Sequence, residues 1–595
     1  PPPPPPPCRS PFAMQHPRME SRGALPTPLF VCLVLLLVVA VGPVSAQRLR
    51  GNMQDPHQLI PDAGDALHAE MAASGDKVVG TVMYDASRNL YTMDVGVVDK
   101  NVGVAWGVWR NEVDTTGWAR VTVVTNPAYP DNVQAYAAGY FEGYFSYHRI
   151  YTHFVNSLAF TFPNETDVPE DIQGFFRKQL AWSRSQVLSQ ASSDPYWYQV
   201  GITLDQFDGL LAGYRVQGAA LRNLTAEEIQ ILTGFGDLFD IMPAVRAHLR
   251  PDIGKMSPSE ILRYQERNSH CSALIRVTPA LDNLFSGHTS WFLYQAMNRI
   301  FKRYYLNFNH PSTAAKQVVF SSYPGELSSN DDFYITSQRL NVIETTNNIW
   351  NKALYDKVKP ESLLTWQRVI VANRMSTGGK QWAEVFSKFN SGTYNCQWMV
   401  VDYKLFELGQ PLKENLLWIV EQIPGTMESR DMTLSLNSGY WPSYNVPYFR
   451  KIYDLSGYPE AVKKAGPGTS YTMAPRAQIF RQRAHLVHDI ESMRAFMRYN
   501  DFEADPLAHM NPGAAVASRF DLDPNPSHRA AEGGYDSKIT SYGLISSMVV
   551  EAISGPTTDQ QPPFNFASEE WKNLKREGLP AFWNFDWQMM DDDEP

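Results

Sequence analysis

The sequence has 595 residues, of which 44% are hydrophobic and 12% aromatic. This is the composition of a globular protein with a large core, and it excludes a disordered chain. The formal net charge of −10 and the absence of a basic stripe in the sequence argue against a nucleic-acid partner. No internal repeat and no low-complexity segment follows residue 46.

Residues 1–46 are predicted to be an upstream region followed by a secretory signal peptide. The sequence begins with proline rather than methionine, so its first residues are expected to precede the true start. Arg22 precedes a short apolar run at 30–41 and a small-residue cleavage site at 44–46. The run is shorter than the roughly 20 residues of a membrane span. We therefore expect a mature chain that starts near Gln47, in a secreted or lysosomal lumenal protein; an uncleaved anchor is the alternative.

The first half of the mature chain is predicted to contain a meandering sheet followed by helices. β-rich runs bounded by Asp, Asn and Gly predict strands at 77–85, 89–98, 102–110 and 118–126. Aromatic and alanine patterns predict helices at 131–158, 169–192, 203–220 and 226–249, the first of them long and buried. The polar stretch 254–268 predicts an irregular, exposed segment.

The second half returns to strands. Short apolar runs predict strands at 271–278, 283–290, 317–323, 332–337, 340–346, 396–406 and 416–423. Apolar faces at helical spacing predict helices at 291–306, 362–374, 380–389 and 484–498. Blocks of strands and blocks of helices, rather than strict alternation, predict the α+β class with helices covering the outer sides of the sheets.

Two cysteines remain after the predicted signal peptide, Cys271 and Cys396. Secreted proteins commonly pair such cysteines, so one interpretation is a structural glycoprotein with a Cys271–Cys396 disulfide. A chain of this length buries enough core to need no crosslink, which favours free thiols.

The stretch "NSHCSALIRV" places Cys271 between a polar segment and an apolar, strand-like run. Cysteine reacts as the thiolate, and a free cysteine has a pKa of about 8.5, so a catalytic cysteine needs a base nearby. A cut just before Cys271 would free an α-amine with a pKa of about 8, which can serve as that base. A small buried cysteine in a strand is the plainer interpretation, and spacing alone leaves both open.

Several long motifs resemble the phospholipase B-like family of secreted and lysosomal N-terminal-nucleophile hydrolases. They keep one order over most of 76–590, and they include "HCSALI", "HTSWFLYQAMNRIFKRYYL", "VFSSYPGELSSNDDFYIT", "MRYNDFEADP" and "GGYDSKIT". The resemblance implies a four-layer αββα sandwich. It also implies self-cleavage before Cys271, giving an N-terminal chain, 47–270, and a C-terminal chain, 271–595, within one folded unit.

The resemblance also implies roles for individual residues. Cys271 is expected to be the nucleophile, and His288 is expected to stabilise its thiolate or bond the substrate. Asn395 is expected to donate to the oxyanion. Trp291 and Arg276 are candidates for substrate binding, although a core tryptophan and a structural arginine are the plainer interpretations.

The sequence departs from the family's usual pattern at Asn395-Cys396, where two asparagines are usual. We expect an acyl hydrolase that cleaves lipid ester or amide bonds through a cysteine thioester, without metal or cofactor and without a stable membrane span. The departure leaves a non-catalytic lumenal lipid-binding protein on the same fold as the alternative. The sequence has no zinc motif and no Gly-x-Ser-x-Gly nucleophile motif.

Asn164-Glu-Thr and Asn223-Leu-Thr are glycosylation sequons. We expect both asparagines to carry glycans when the chain passes through a secretory pathway. Glycosidase treatment should then lower the mass, and Asn164→Gln and Asn223→Gln should each remove one step of that loss. A mass unchanged by the glycosidase would contradict the lumenal prediction.

Overall fold

The structure, a computed structural model, describes residues 77–593. The predicted signal peptide and the first residues of the predicted mature chain lie outside this range. Strands and helices are mixed through the described chain, which confirms the α+β class. The strands are β1 Val78–Asp85, β2 Leu90–Val95, β3 Ala105–Glu112, β4 Trp118–Thr125, β5 Cys271–Val277, β6 Leu284–Leu293, β7 Arg299–Tyr305, β8 Gln317–Ser322, β9 Phe333–Thr336, β10 Leu340–Thr346, β11 Cys396–Asp402, β12 Leu417–Ile423, β13 Thr426–Asp431, β14 Tyr440–Ser443, β15 Glu532–Ser541, β16 Val550–Ser554, β17 Phe564–Asn565, β18 Phe582–Trp583 and β19 Gln588–Met590.

The helices of the described chain lie between these strands in the sequence. They are α1 Val113–Thr116, α2 Asp131–Thr161, α3 Glu170–Gln190, α4 Pro195–Gly218, α5 Ala226–Thr233, α6 Phe235–Val245, α7 Pro258–Arg267, α8 Thr365–Met375, α9 Gly379–Phe386, α10 Thr433–Leu436, α11 Arg450–Ser456, α12 Tyr458–Ala465, α13 Pro475–Arg483, α14 Ile490–Met497 and α15 Tyr542–Ile545.

Two sheets organise the described chain. The large sheet has eleven strands in the order β13-β12-β11-β10-β9-β8-β7-β4-β3-β1-β2, and the small sheet has six in the order β14-β5-β6-β15-β16-β19. β4 and β7 run parallel, from Trp118 beside Arg299 to Val124 beside Tyr305. This pair joins the segment before Cys271 to the segment after it inside one sheet.

Four apolar cores hold these elements together, and three of them position the strand at Cys271 and its surroundings. One lies between α2, α4 and the large sheet. A second contains Ile343 and Phe301 of the large sheet together with Ala273 and Ile275 of the small one. A third packs Leu274 of β5 against residues of α13 and α14. The strand that begins at Cys271 therefore has apolar partners on both of its faces.

Most predicted elements are present, including the long buried helix, observed as α2, and the antiparallel pair β11–β12. The predicted helix at 291–306 is wrong, because this segment completes β6 and then forms β7. β7 lies between β4 and β8, and six of its seven residues are buried. A strand buried on both faces has no polar alternation, so spacing alone does not separate it from a buried helix.

Two further predictions differ from the structure. The stretch 254–268, predicted to be irregular, contains α7, which begins with a capping box between Ser257 and Glu260. The Ser-Pro-Ser-Glu spacing was the available signal for this helix start. The predicted helix at 226–249 is two helices, α5 and α6, separated at Gly234. The sequon residues Asn164 and Asn223 are both exposed.

The helices α2 and α4 approach each other at four glycines. A Cβ added at Gly139 of α2 would lie 1.9 Å from the Gln206 carbonyl oxygen, and one at Gly143 would lie 2.1 Å from the Leu210 carbonyl oxygen. Gly209 and Gly213 of α4 face the α2 backbone equally closely, at 1.9 and 2.1 Å from carbonyl oxygens. Only hydrogen fits at these positions, so the glycines set the distance between the two helices.

We expect Gly139→Ala to lower the free energy of unfolding by about 3 kcal/mol, because the new methyl group must displace a backbone carbonyl. Gly174→Ala in α3 is the matched control, since no heavy atom lies within 4 Å of the place that its new methyl group would take. That change should raise stability by up to about 1 kcal/mol through helix propensity. Equal midpoints of thermal unfolding for the two variants would contradict the close approach.

Candidate active site

Cys271 is the first residue of β5, and its side chain is buried, with 2% of the residue exposed. It lies directly opposite Ser290 of β6. Alternate residues of a strand share a face, and Ala273 and Ile275 pack against the large sheet. The Cys271 thiol is therefore directed from the small sheet towards the large one.

Two backbone carbonyls beside the thiol, those of His270 and Cys271, each accept a hydrogen bond. The His270 carbonyl oxygen accepts from the Trp291 backbone N–H at 2.5 Å. The Cys271 carbonyl oxygen accepts from Nη1 of Arg476 at 2.8 Å. The carbonyl that precedes the thiol is thus already polarised by a hydrogen bond, in the way that an oxyanion site requires.

Glu344 of β10 is the acidic partner of the thiol. Cys271 Sγ lies 3.7 Å from Glu344 Oε1, and the Tyr394 hydroxyl lies 3.0 Å from the same oxygen. Burial raises the pKa of Glu344 to about 7, although hydrogen bonds from Cys396, Tyr394 and Cys271 act to lower it. Burial, and next the charge of Glu344, raise the pKa of the Cys271 thiol well above its usual value. A neutral thiol is therefore held beside a carboxyl that can take its proton.

His288 of β6 pairs with Ala273 and approaches the same site. Its Nε2 lies 2.8 Å from the Glu344 backbone carbonyl oxygen, which can only accept, so Nε2 carries the hydrogen. Burial and the charge of Lys538 hold the pKa of His288 well below its usual value, so the ring is neutral. One sulfur, one ring nitrogen and one carboxyl oxygen, from Cys271, His288 and Glu344, lie within 4.8 Å of one another. These atom types can bind Zn²⁺.

Four charged side chains are buried close to Cys271 and His288. They are Arg299, Asp331, Asp536 and Lys538, each of them at most 2% exposed in its side chain. Asp331 accepts from Arg299 at 2.5 Å and from Lys538 at 2.6 Å, and Asp536 accepts from Lys538 at 2.7 Å. Burial opposes ionisation of Asp331, but Arg299 and Lys538 hold its pKa well below its usual value. Ser290, the strand partner of Cys271, donates to Asp331 at 3.0 Å.

The structure brings some of the predicted site residues together and not others. Trp291 is buried, its ring N–H donates to the Val516 carbonyl at 3.0 Å, and the Arg476 guanidinium lies 4.2 Å from its ring centre. Arg276 lies five residues further along β5, about 17 Å from Cys271 at strand spacing. Its guanidinium donates to the carbonyls of Gly439 and Val487. Arg276 is therefore held by backbone groups far from the thiol.

Asn395 is buried at the start of β11, but its side-chain amide donates to the Gly392 carbonyl at 2.9 Å. Its neighbours reach the Cys271 site instead. The Tyr394 hydroxyl contacts Glu344, as described above, and the Cys396 thiol, 3.2 Å from the Tyr394 carbonyl oxygen, also bonds the Glu344 carboxyl. The departure from the family pattern thus lies at the candidate site itself. Both cysteines are free in the structure.

A small cavity of about 40 Å³ opens beside Cys271. Its wall combines aromatic and polar side chains; the lining includes Phe160, Phe235, Phe239, Phe292, Tyr323, Tyr394, Tyr535, His153, His270, Glu326 and Asp331. A larger cavity of about 470 Å³ lies next to it, and Trp291 contributes to the walls of both.

Sequence reasoning missed Glu344 and the four buried charges. The available signal was a charged residue inside an otherwise strand-like run, as in "LNVIETT" and "GGYDSKIT". Ionisable side chains are rarely buried unless they are paired, so such positions mark candidates for a network. The sequence does not show that Arg299 and Asp331 meet the Asp536–Lys538 pair, because these segments are distant in the chain.

Comparisons with known proteins give the family. The profile of the family described as Phospholipase B matches residues 105–590. Phospholipase B-like protein B of Dictyostelium discoideum is 39% identical over 497 residues, 82% of this chain and 85% of that protein. Phospholipase B of Crotalus adamanteus is 39% identical over 83% of this chain and 89% of its own. Phospholipase B-like 1 of Homo sapiens is 39% identical over 83% of this chain and 88% of its own. The chain belongs to the phospholipase B family.

One solved structure, a mutant of the conjugated bile acid hydrolase from Clostridium perfringens, is 10% identical over 48% of this chain and 89% of that chain, with a TM-score of 0.24. At this TM-score the likeness carries no argument about fold or function. Within residues 77–593, no helix combines the length and the apolar character needed to cross a membrane.

We expect both thiols to resist alkylation in the folded chain while the bond before Cys271 is intact, because iodoacetamide reacts with thiolate and burial keeps Cys271 and Cys396 protonated. After unfolding without reductant, both peptides should be labelled, as peptide mass analysis would show. Absence of label on both peptides after unfolding would instead support the Cys271–Cys396 disulfide.

Proposed function

We propose that this protein is an acyl hydrolase of phospholipase B-like type, with Cys271 as its nucleophile after the chain cuts itself between His270 and Cys271. The observation that carries the proposal is the arrangement at that bond. The thiol lies beside a buried carboxyl, and the carbonyl that it would attack already accepts the Trp291 N–H. Membership of the phospholipase B family supports a lipid ester as substrate, and an amide is the alternative bond.

The proposed fold is the four-layer αββα sandwich of N-terminal-nucleophile hydrolases. The apolar core shared by the two sheets and the helical cores on their other faces support it. The proposed chains are 47–270 and 271–595, which remain together because β4 and β7 share a sheet. The predicted signal peptide and the exposed sequons support a secreted or lysosomal location.

Self-cleavage needs a base that is present before the cut. The Cys271 nitrogen is then an amide and cannot accept a proton, so Glu344 takes the thiol proton. Sulfur attacks the His270 carbonyl carbon, an S–C bond forms, and the C–N bond to Cys271 breaks as its nitrogen receives the proton. Water hydrolyses the resulting thioester, which leaves a carboxylate on His270 and restores the thiol.

Turnover uses the base that the cut has made. The free α-amine of Cys271 takes the thiol proton, sulfur attacks the acyl carbonyl, and the leaving alcohol or amine receives that proton. Water then releases the acid from the thioester. The Trp291 N–H is the oxyanion donor that the contacts favour. A role for Asn395 stays a prediction, and it would require its amide to leave the Gly392 carbonyl.

Cys271→Ala should abolish both the cut and hydrolysis while the chain stays folded, because both steps need the sulfur. Cys271→Ser should still be cut, but slowly, since a hydroxyl is the weaker nucleophile. A denaturing gel should show two chains for the wild type and one for Cys271→Ala. A cut that persists in Cys271→Ala would mean that another protease makes it, and activity without any cut would contradict the mechanism.

Glu344→Gln should slow self-cleavage about a hundredfold or more, because the base is lost. The wild-type rate should rise with pH through about 7, where Glu344 loses its proton, and the variant should lose this dependence. Purified uncut chain followed by gel after a pH jump would measure both rates. The control is Glu384→Gln, an exposed carboxylate on α9, which should cleave at the wild-type rate. A wild-type pH profile in Glu344→Gln would remove Glu344 as the base.

A further inference from the structure

We propose that the aromatic slot which now holds the His270 side chain is the acyl-binding site, and that it takes an apolar acyl chain. We define the slot by Phe160, Phe235, Phe239 and Phe292. The inference rests on the proposed function, because it uses the attack of the Cys271 thiol on an acyl carbonyl. It adds where the acyl group lies and what chemical class that group has.

His270 supplies the acyl group of the self-cleavage reaction. Its carbonyl carbon is the one that the Cys271 thiol attacks, and its carbonyl oxygen accepts the Trp291 N–H. A substrate acyl group that meets the same sulfur and the same donor must leave the carbonyl carbon in the same direction. The α-carbon of His270 carries two branches, the side chain and the backbone towards Ser269, and the side chain is the branch that enters the aromatic lining beside Cys271. We take that branch as the start of the acyl path.

That side chain lies between two phenylalanine rings. The His270 ring is stacked on Phe239, with 5.3 Å between ring centres and 29° between planes. It meets Phe292 edge to face at 5.5 Å. Flat apolar walls on two sides fit a hydrocarbon chain and offer no partner to a polar group.

The slot continues beyond these two rings. Phe160 lies 5.8 Å from Phe235 and 5.5 Å from Phe292, and Phe235 lies 5.5 Å from Phe239, between ring centres. These rings come from α2, α6 and β6, so the slot is formed by three separate elements. Phe239 is 38% exposed, which places it at the mouth.

The buried polar residues of the cavity wall and the exposure of Phe239 give the chain its direction. His153 and Glu326, which bond each other at 3.2 Å, line the cavity away from solvent and are buried. An apolar chain directed at them would cover their polar atoms at a cost in free energy. The acyl chain is therefore expected to run outward, along Phe239 to the surface.

His270 itself is poorly matched to the slot. Burial lowers the pKa of its imidazole to about 4, and Nδ1 has no hydrogen-bond partner among the described residues. After the cut, residue 270 ends in a carboxylate, which is still less suited to an aromatic site. Its departure would clear the slot, whereas an apolar acyl chain would leave no polar group unpaired there.

The test uses the processed protein with p-nitrophenyl acetate and p-nitrophenyl octanoate. Wild-type kcat/KM should be at least about tenfold higher for octanoate, since apolar contacts of this kind discriminate by such factors. Phe239→Ala should remove most of that preference by lowering kcat/KM for octanoate about tenfold, with acetate changed less than about threefold. The matched control is Phe582→Ala, an exposed phenylalanine on β18, which should keep the wild-type ratio.

Rates are divided by the fraction of protein that a gel shows to be cut. Phe239→Leu, which keeps an apolar wall, should give a ratio of octanoate to acetate kcat/KM between those of the wild type and Phe239→Ala. Turnover of both esters with no chain-length preference, or equal ratios in Phe239→Ala and Phe582→Ala, would overturn the slot and leave the hydrolase in place. Processed wild type that turns over neither ester would overturn the proposed hydrolase, and the slot with it.

Discussion

The geometry of the candidate site depends on four buried charged side chains that connect the two sheets near Cys271. Arg299 comes from the large sheet, Asp536 and Lys538 come from the small sheet, and Asp331 precedes β9. Removing one partner from such a group leaves a buried charge uncompensated, at a cost of about 3–5 kcal/mol. The two basic and two acidic side chains balance one another, and the hydrogen bonds between them are directional. The group therefore fixes the position of one sheet relative to the other. The Ser290 hydroxyl donates to Asp331 of this group, and Ser290 is the strand partner of Cys271.

Under the proposed mechanism, this fixed geometry would let the chain use two bases in turn. Glu344 belongs to the large sheet and Cys271 to the small one, so their contact exists only when the sheets are assembled. Self-cleavage would therefore wait for complete folding, which protects a partly folded chain from a premature cut. Once the bond was broken, the α-amine would supply the second base, and the carboxyl would no longer be required in that role.

The sequence predicted the parts of this arrangement that depend on local pattern or on whole-family motifs. The strand at Cys271, the strand that contains His288, and the long helix α2 are all present. The helix predicted at 291–306 failed because β7 is buried on both faces, and its identity is decided by pairing with β4 and β8. Glu344 could not be predicted as the partner of Cys271, since the two residues are 73 positions apart and meet through the packing of two sheets. Arg276 is close to Cys271 in the sequence, and this closeness suggested a shared site. The two residues lie near opposite ends of β5, and the Arg276 guanidinium donates to backbone carbonyls.

If the proposed cut divides the chain, the parallel pair β4–β7 changes how the protein unfolds and refolds. Hydrogen bonds between these strands place residues from both sides of Cys271 in the middle of a single sheet. Before the cut, a denatured chain keeps the two segments tethered, and their reunion is a loop closure whose entropy cost grows only slowly with length. After the cut, the same reunion becomes an encounter between two molecules, and it depends on their concentration. A dilute, mature protein that loses its fold would not recover it, so its lifetime would be set by the rate of unfolding rather than by an equilibrium.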